Sequence, residues 1–81
     1  MPTVLREGPY RIYFYSHEPG EPAHVHVDRD SSSAKIWLLG SRLANNYGFS
    51  ASELKKIGSI VRKNQQELWE AWNDYFSEHR G

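Results

Sequence analysis

Residues 24–39, HVHVDRDSSSAKIWLL, decide the fold of this chain. Residues 24–29 are predicted to form a strand, because polar side chains and valines alternate over residues 24–28 as is typical of a half-buried strand. Residues 30–33 are Asp-Ser-Ser-Ser, a composition that favours a turn, and residues 34–39 return to a strand pattern. Two strands joined by so short a connection predict an antiparallel hairpin, to which the rest of the sheet is added.

Two further strands are predicted before this hairpin. Residues 3–7 and 10–15 are rich in β-branched and aromatic side chains, and Gly8-Pro9 between them indicates a turn. Residues 16–23, SHEPGEPA, contain two prolines and a glycine and therefore predict a loop. We expect residues 1–39 to form a meander of antiparallel strands.

The last third of the chain is predicted to be one long helix. Ser50 and Glu53 have the spacing of a capping box at its start. Apolar residues then recur at helical spacing as far as Phe76, and no proline interrupts the chain after Ser50. We predict a helix over residues 50–77, preceded by an irregular connection over residues 40–49.

The order of these elements predicts an α+β fold. A small antiparallel sheet of three to five strands is followed by one long C-terminal helix, which packs on one face of the sheet. A length of 81 residues corresponds to a single domain, residues 1–81, because a second domain would be too small to bury its own core.

The composition excludes several classes of protein. Ten Lys and Arg balance ten Asp and Glu, so no overall field draws the chain to nucleic acid or to an anionic membrane. Without cysteine there is no disulfide and no thiolate zinc site. No run of about 20 apolar residues could span a bilayer, and the first residues lack the apolar run of a signal peptide. We expect a cytoplasmic protein with no membrane partner and no cofactor.

Strand alternation divides the sheet into an aliphatic face, on which the helix packs, and a second face. Large aromatic, histidine and cationic side chains are predicted on the second face, where they form a candidate binding surface: Arg11, Tyr13, Tyr15, His24, His26, Lys35 and Trp37. Asp28 is predicted to lie among them. Aromatic side chains and cations of this kind suit recognition of a partner. The alternative is that they form cross-strand pairs that only stabilise the sheet.

The two histidines of this face, His24 and His26, raise the questions of metal binding and catalysis. Positions i and i+2 of a strand share a face, so the two rings could share one metal ion. A zinc site needs a third ligand, for which three residues qualify: His17, Glu21 and Asp28. An H-x-H pair is too short to be a zinc signature, so we expect no metal site and regard both as hydrogen-bonded structural histidines. Candidate catalytic residues are His24, His26 and Lys35, because histidine can act as a general acid or base near neutral pH.

The predicted helix carries its charges in an unusual order. Cations occupy its first half (Lys55, Lys56, Arg62 and Lys63) and carboxylates its second half (Glu67, Glu70, Asp74 and Glu78). This order opposes the helix dipole. One interpretation is a solvated helix face. The alternative is a homodimer through the C-terminal helix, in which the basic half of one copy meets the acidic half of the other.

Seven segments, in this order, resemble a known family. They are Pro-Thr-Val-Leu-Arg (2–6), Tyr-Arg-Ile-Tyr-Phe-Tyr (10–15), Pro-Ala-His-Val-His-Val (22–27), Ala-Lys-Ile-Trp-Leu (34–38), Gly-Phe-Ser (48–50), Glu-Leu (53–54) and Trp-Asn-Asp-Tyr-Phe (72–76). Together they resemble the small bacterial proteins of domain of unknown function 4160, over nearly the whole chain. That family commonly has two prolines before the first histidine, where this chain has Pro22-Ala23. Four residues of the predicted second face match motif positions: His24, His26, Lys35 and Trp37.

The resemblance implies one component of a two-protein system. Members of this family are often encoded beside a protein of domain of unknown function 2442, a layout similar to toxin–antitoxin pairs. We therefore expect an interaction module that binds a small protein from a neighbouring gene through the second face. The alternatives are an RNA-directed toxin that uses the same face and, third, a metal-dependent hydrolase centred on His24 and His26. We favour binding over enzymatic activity, because no Ser-His-Asp, phosphate-loop or paired-carboxylate constellation occurs elsewhere in the chain.

Overall fold

The computed structural model describes residues 3–14 and 20–78, and the fold is α+β as predicted. Its sheet has five antiparallel strands in sequential order: β1 (Thr3–Glu7), β2 (Tyr10–Tyr13), β3 (His24–Arg29), β4 (Ser32–Trp37) and β5 (Arg42–Tyr47). Two helices follow the sheet: α1 (Ala51–Lys63) and α2 (Gln65–Glu78). No helix in the described part of the chain is long and apolar enough to cross a bilayer.

The β3–β4 hairpin is tighter than we predicted. Arg29 pairs with Ser32, so the turn consists of Asp30 and Ser31 alone, and β4 covers residues 32–37 rather than 34–39. Asp30 has a φ of 55°, in the left-handed region that aspartate tolerates better than most residues. The predicted turn at residues 30–33 was therefore two residues too long. β2 is also shorter than predicted and ends at residue 13.

The predicted irregular connection over residues 40–49 is wrong, because it contains a strand. A short 3-10 turn (Leu39–Ser41) leads into β5, which pairs with β4 along its length. Ala44 is an extra residue in this ladder, since Lys35 pairs with Asn45 while Ile36 pairs with Leu43. This bulge interrupts the alternation of side chains from which a strand is normally recognised.

One face of the sheet and the two helices enclose the hydrophobic core. Fully buried aliphatic side chains of β2, β3 and β4 form the sheet side of this core: Ile12, Val25, Val27, Ala34 and Ile36. Three buried residues of the helices contribute to the same cluster: Ile57, Val61 and Leu68. The predicted packing of the apolar helix stripe on the aliphatic face is therefore correct.

The predicted single helix over residues 50–77 is wrong, because the helix breaks at Asn64. The Asn64 backbone has a φ of −107° and a ψ of 17°, and its side-chain amide donates to the Ile60 carbonyl at 2.9 Å. On the other side of the break, the Gln65 side-chain amide donates to the Leu38 carbonyl. Each helix thereby gains a better charge order, with Arg62 and Lys63 at the end of α1 and Glu67 in the first turn of α2.

Candidate functional site

The strand register defines the second face of the sheet, opposite the core. Residues that pair directly across neighbouring antiparallel strands point to the same face. By this criterion, the side chains of the second face among the described strands are Arg6, Arg11, Tyr13, His24, His26, Asp28, Ser33, Lys35, Trp37, Arg42, Asn45 and Tyr47. Six of the seven predicted binding residues are therefore brought together. The seventh, Tyr15, lies outside the described residues.

Two of these residues are not exposed, which corrects the expectation of an open surface. Only 3 % of Tyr13 and 0 % of His24 is accessible to solvent. His26, Lys35 and Trp37 are partly buried. The part of the second face that a large partner could touch is therefore smaller than the sequence indicated.

His24 is buried because α2 reaches the end of the sheet. Trp72 of α2 lies 5.4 Å from Phe14 and 5.3 Å from His24, measured between ring centroids. The His24 ring also meets Trp37 edge-on at 5.7 Å, and its Nδ1 lies 2.8 Å from the Pro22 carbonyl oxygen. This geometry requires a proton on Nδ1. His24 is thus a buried histidine with a fixed orientation.

Tyr13 stands at the centre of the second face and is enclosed by its neighbours. Its ring stacks on His26 at 5.4 Å, and the Arg11 guanidinium carbon lies 4.5 Å from its centroid. The Tyr13 hydroxyl donates to Asp28 Oδ2 at 3.1 Å, while Asp28 Oδ1 is buried with no hydrogen-bond partner among the described residues. Tyr13 and Asp28 therefore connect β2 to β3 across this face.

Lys35 also contacts neighbouring side chains. Its ammonium group donates to the Glu21 carboxylate from the segment before β3, and it lies 4.9 Å from the Trp37 ring centroid. Only 15 % of the Lys35 side chain is accessible. The three candidate catalytic residues, His24, His26 and Lys35, therefore lie on one face and each has an aromatic neighbour; a catalytic role for them stays a prediction.

Metal binding by His24 and His26 finds little geometric support. Their rings meet edge-on at 5.1 Å, but His24 Nδ1 faces the Pro22 carbonyl. In the described part of the chain no three His, Asp or Glu side chains form a group that could hold a metal ion. The remaining predicted ligand, His17, lies outside the described residues.

The second face carries more positive charge than the sequence indicated. Arg6 on β1 and Arg42 on β5 also lie on it and are exposed, and Tyr47 on β5 is 65 % exposed. Among the described strand residues, four cations (Arg6, Arg11, Lys35 and Arg42) share this face with a single carboxylate, Asp28. The balanced net charge of the chain conceals this local excess, because five of the ten acidic residues lie on the helices. If β5 had been predicted as a strand with its bulge, Arg42 and Tyr47 would have been placed on the second face.

Three side chains with shifted pKa values, Tyr10, Arg29 and Glu53, lie together on the core side of the sheet. Glu53 in the first turn of α1 accepts hydrogen bonds from Arg29 and Tyr10. The bond from Arg29 lowers the pKa of Glu53 and raises that of Arg29. Burial, with the Glu53 bond second, raises the pKa of Tyr10. This cluster attaches α1 to the sheet.

A five-stranded antiparallel meander with two C-terminal helices on one face and a cationic second face defines the class: a small α+β domain with one candidate binding surface. The family model described as Domain of unknown function (DUF4160) matches residues 10–73, and the chain belongs to this family. The match includes β2 to β5, α1 and most of α2. No curated protein and no solved structure matches the chain.

Proposed function

We propose that this chain is an interaction module of a toxin–antitoxin-like two-protein system, and that it binds an acidic surface of its partner protein through the second face. The observation that carries the proposal is the excess of four cations over one carboxylate among the described strand residues of the second face, of which Lys35 is paired with Glu21. Complementary charge steers association and selects the partner.

Two exposed arginines provide the charge that a partner would meet first. Arg6 on β1 and Arg42 on β5 lie at opposite edges of the second face. Lys35, in contrast, already contacts Glu21 within the chain. We therefore assign recognition mainly to Arg6 and Arg42, with the exposed ring of Tyr47 as an apolar anchor.

Protein recognition fits this face better than RNA recognition. Binding of unpaired RNA relies on aromatic rings on which bases can stack. Tyr13 is buried between Arg11 and His26, and the Trp37 ring already contacts His24 and Lys35. Of the three aromatic residues that the described strands place on this face, only Tyr47 is largely exposed.

The test is native mass spectrometry of the untagged chain expressed together with the product of its neighbouring gene. We expect a species heavier than 9.4 kDa that contains both proteins. The double variant Arg6→Glu/Arg42→Glu should weaken this complex by on the order of tenfold or more, because it reverses both exposed charges.

A matched control separates this effect from a change in net charge. Lys55→Glu/Arg62→Glu reverses two exposed cations of α1, away from the second face, and should leave the complex unchanged. Equal affinity of both double variants would overturn the proposal, as would a 9.4 kDa species alone. A species carrying the mass of an oligonucleotide would replace it with the RNA alternative.

A further inference from the structure

The outer edge of the sheet at β5 differs from the rest of the surface. All three exposed large apolar side chains of the described residues lie in or just before this strand: Leu39 at 78 %, Leu43 at 47 % and Tyr47 at 65 % exposed. β5 is the last strand of the sheet, so its outward row of backbone N–H and C=O groups faces no further strand of the described fold. An edge of this kind is a template for pairing with another strand.

The opposite edge, at β1, is protected by helix side chains. Glu7 at the end of β1 accepts a hydrogen bond from Lys63 at 3.1 Å and lies 3.4 Å from the Asn64 side-chain amide. Charged residues on an edge strand discourage pairing. β5 contains one charged residue, Arg42, and no proline. The two edges therefore differ in their readiness to accept a strand, and β5 is the open one.

The bulge at Ala44 makes β5 complementary to itself. In a regular strand, residues five positions apart point to opposite faces. The extra residue shifts the alternation by one position, so Arg42 and Tyr47 both lie on the second face, while Leu43 and Asn46 both lie on the core face. If two copies of β5 are aligned antiparallel about the midpoint between Ala44 and Asn45, every one of these side chains meets a residue of the same face.

We propose that β5 pairs antiparallel with β5 of a second copy of this chain. In this register Arg42 lies opposite the partner's Tyr47, and Leu43 lies opposite the partner's Asn46. The guanidinium of Arg42 then contacts the exposed Tyr47 ring, an attraction between a cation and an aromatic face that occurs twice in the symmetric dimer. The twofold axis is perpendicular to the sheet, so the dimer has one continuous ten-stranded sheet with both helix pairs on the same side.

A second copy suits this edge because the pairing brings unlike groups together. The two Arg42 side chains lie at opposite ends of the paired strands, roughly 15 Å apart at about 3.3 Å per residue, and do not repel each other strongly. The net charge of zero adds no overall repulsion between copies. The area that a pair of six-residue strands buries is small compared with the roughly 1,200–2,000 Å² of a standard interface. We therefore expect a dimer that dissociates on dilution.

The first test is analytical ultracentrifugation from low micromolar to near-millimolar protein. We expect the mass to rise from that of one chain towards that of two, and the variant Leu43→Lys to remain a monomer throughout. Leu39→Lys is the control, because Leu39 is more exposed but precedes the paired strand. A wild-type monomer at every concentration overturns the proposal, and so does a dimer that Leu43→Lys leaves unchanged.

Cysteine cross-linking tests the register itself, since the natural chain has no cysteine. A mixture of the Arg42→Cys and Tyr47→Cys variants should form disulfide-linked dimers, because opposite residues of paired strands are about 4.5–5.5 Å apart between Cα atoms. Each variant alone should cross-link far less, because its cysteines lie far apart in the dimer. Equal cross-linking in all three samples overturns the register.

Dimerisation through β5 goes beyond the proposed partner binding. Both proposals use Arg42 and Tyr47, so variants at other residues are needed to separate them. Arg6 lies on β1, away from the dimer edge, so Arg6→Glu should weaken the partner complex without changing the dimer. Leu43→Lys should weaken the dimer without changing the partner complex, because Leu43 points to the core face and not to the second face.

Discussion

Arg29 on β3 and Glu53 on α1 form a two-pronged ion pair: Arg29 Nε lies 2.6 Å from Glu53 Oε2, and Nη2 lies 2.8 Å from Oε1. The Tyr10 hydroxyl donates to the same carboxylate at 3.0 Å. The Glu53 backbone N–H donates to the Ser50 hydroxyl at 3.2 Å, as the capping box predicts. The Glu53 side chain thus bonds to side chains of the sheet. These bonds attach the start of α1 to β2 and β3.

The bidentate geometry of Arg29 should contribute more to the stability of the protein than its charge does. Arg29→Lys keeps the charge but cannot donate two parallel hydrogen bonds to one carboxylate. We expect a lower Tm for Arg29→Lys than for wild type, and most of the same loss in Glu53→Gln. A double-mutant cycle with calorimetry measures the coupling. Additive losses in the double variant would show that the two side chains act independently.

The stability of the protein should fall in acid partly through Glu53. The Arg29 bond holds the pKa of Glu53 below its ordinary value of 4.5, so the folded state binds this proton less readily than the unfolded state. The resulting stabilisation is fully present above pH 4.5 and is lost as the pH falls through the folded-state pKa. Urea unfolding of wild type and Glu53→Gln should show a difference that shrinks as the pH falls below 4.5. A difference independent of pH would contradict this assignment.

Trp72 should control the attachment of α2 to the end of the sheet. Trp72→Ala removes the contacts with Phe14 and His24 and should cost about 3 kcal/mol, the low end for such truncations because Trp72 is only partly buried. Hydrogen exchange should accelerate in α2 more than in α1. Trp72→Phe is the control, since it keeps a ring at this position. Uniform acceleration over the whole chain would show that α2 has no separate docking step.

A strand with regular alternation was predictable from the sequence, whereas a strand with a bulge was not. β3 was predicted to the residue because its polar side chains and valines alternate from His24 to Asp28. β5 was missed because Ala44 breaks the alternation, and because Asn45 and Asn46 are typical turn residues. Asn46 uses that turn chemistry at the end of the strand, where its side chain bonds the Phe49 backbone twice at 3.0 Å.

The sequence predicted several residues of the second face, but it did not predict which of them are exposed. Alternation alone places Tyr13 and His24 on it. Their burial depends on Trp72 of α2 and on neighbours such as Arg11 and His26, which no local pattern reveals. The helix break, in contrast, left a local signal, because a cationic last turn, an asparagine and then Glu67 mark the end of one helix and the start of the next.

The Asn64 side chain should stabilise the end of α1, while tertiary contacts keep the two helices separate. Asn64→Ala removes the side-chain bond to the Ile60 carbonyl, keeps the backbone bond to it, and should cost about 1 kcal/mol. The break should nonetheless persist, because Gln65 bonds the Leu38 carbonyl and Leu68 is fully buried. Urea unfolding measures the cost, and carbon chemical shifts locate the break. Continuous helical shifts through residue 64 would instead show that the asparagine alone interrupts the helix.

Gly48 should tolerate no side chain, for two separable reasons. Its φ of 103° is unfavourable for any residue with a Cβ, and a Cβ there would lie 2.8 Å from the Ser32 hydroxyl oxygen. We expect Gly48→Ala to destabilise the protein by about 2 kcal/mol or more. Gly20→Ala is the matched control, because Gly20 has a φ of 85° but nothing within 4 Å of the added carbon. Its loss reports backbone strain alone. Adding Ser32→Gly to Gly48→Ala should recover the difference between the two losses in urea unfolding, and no recovery would mean that backbone strain accounts for the whole effect.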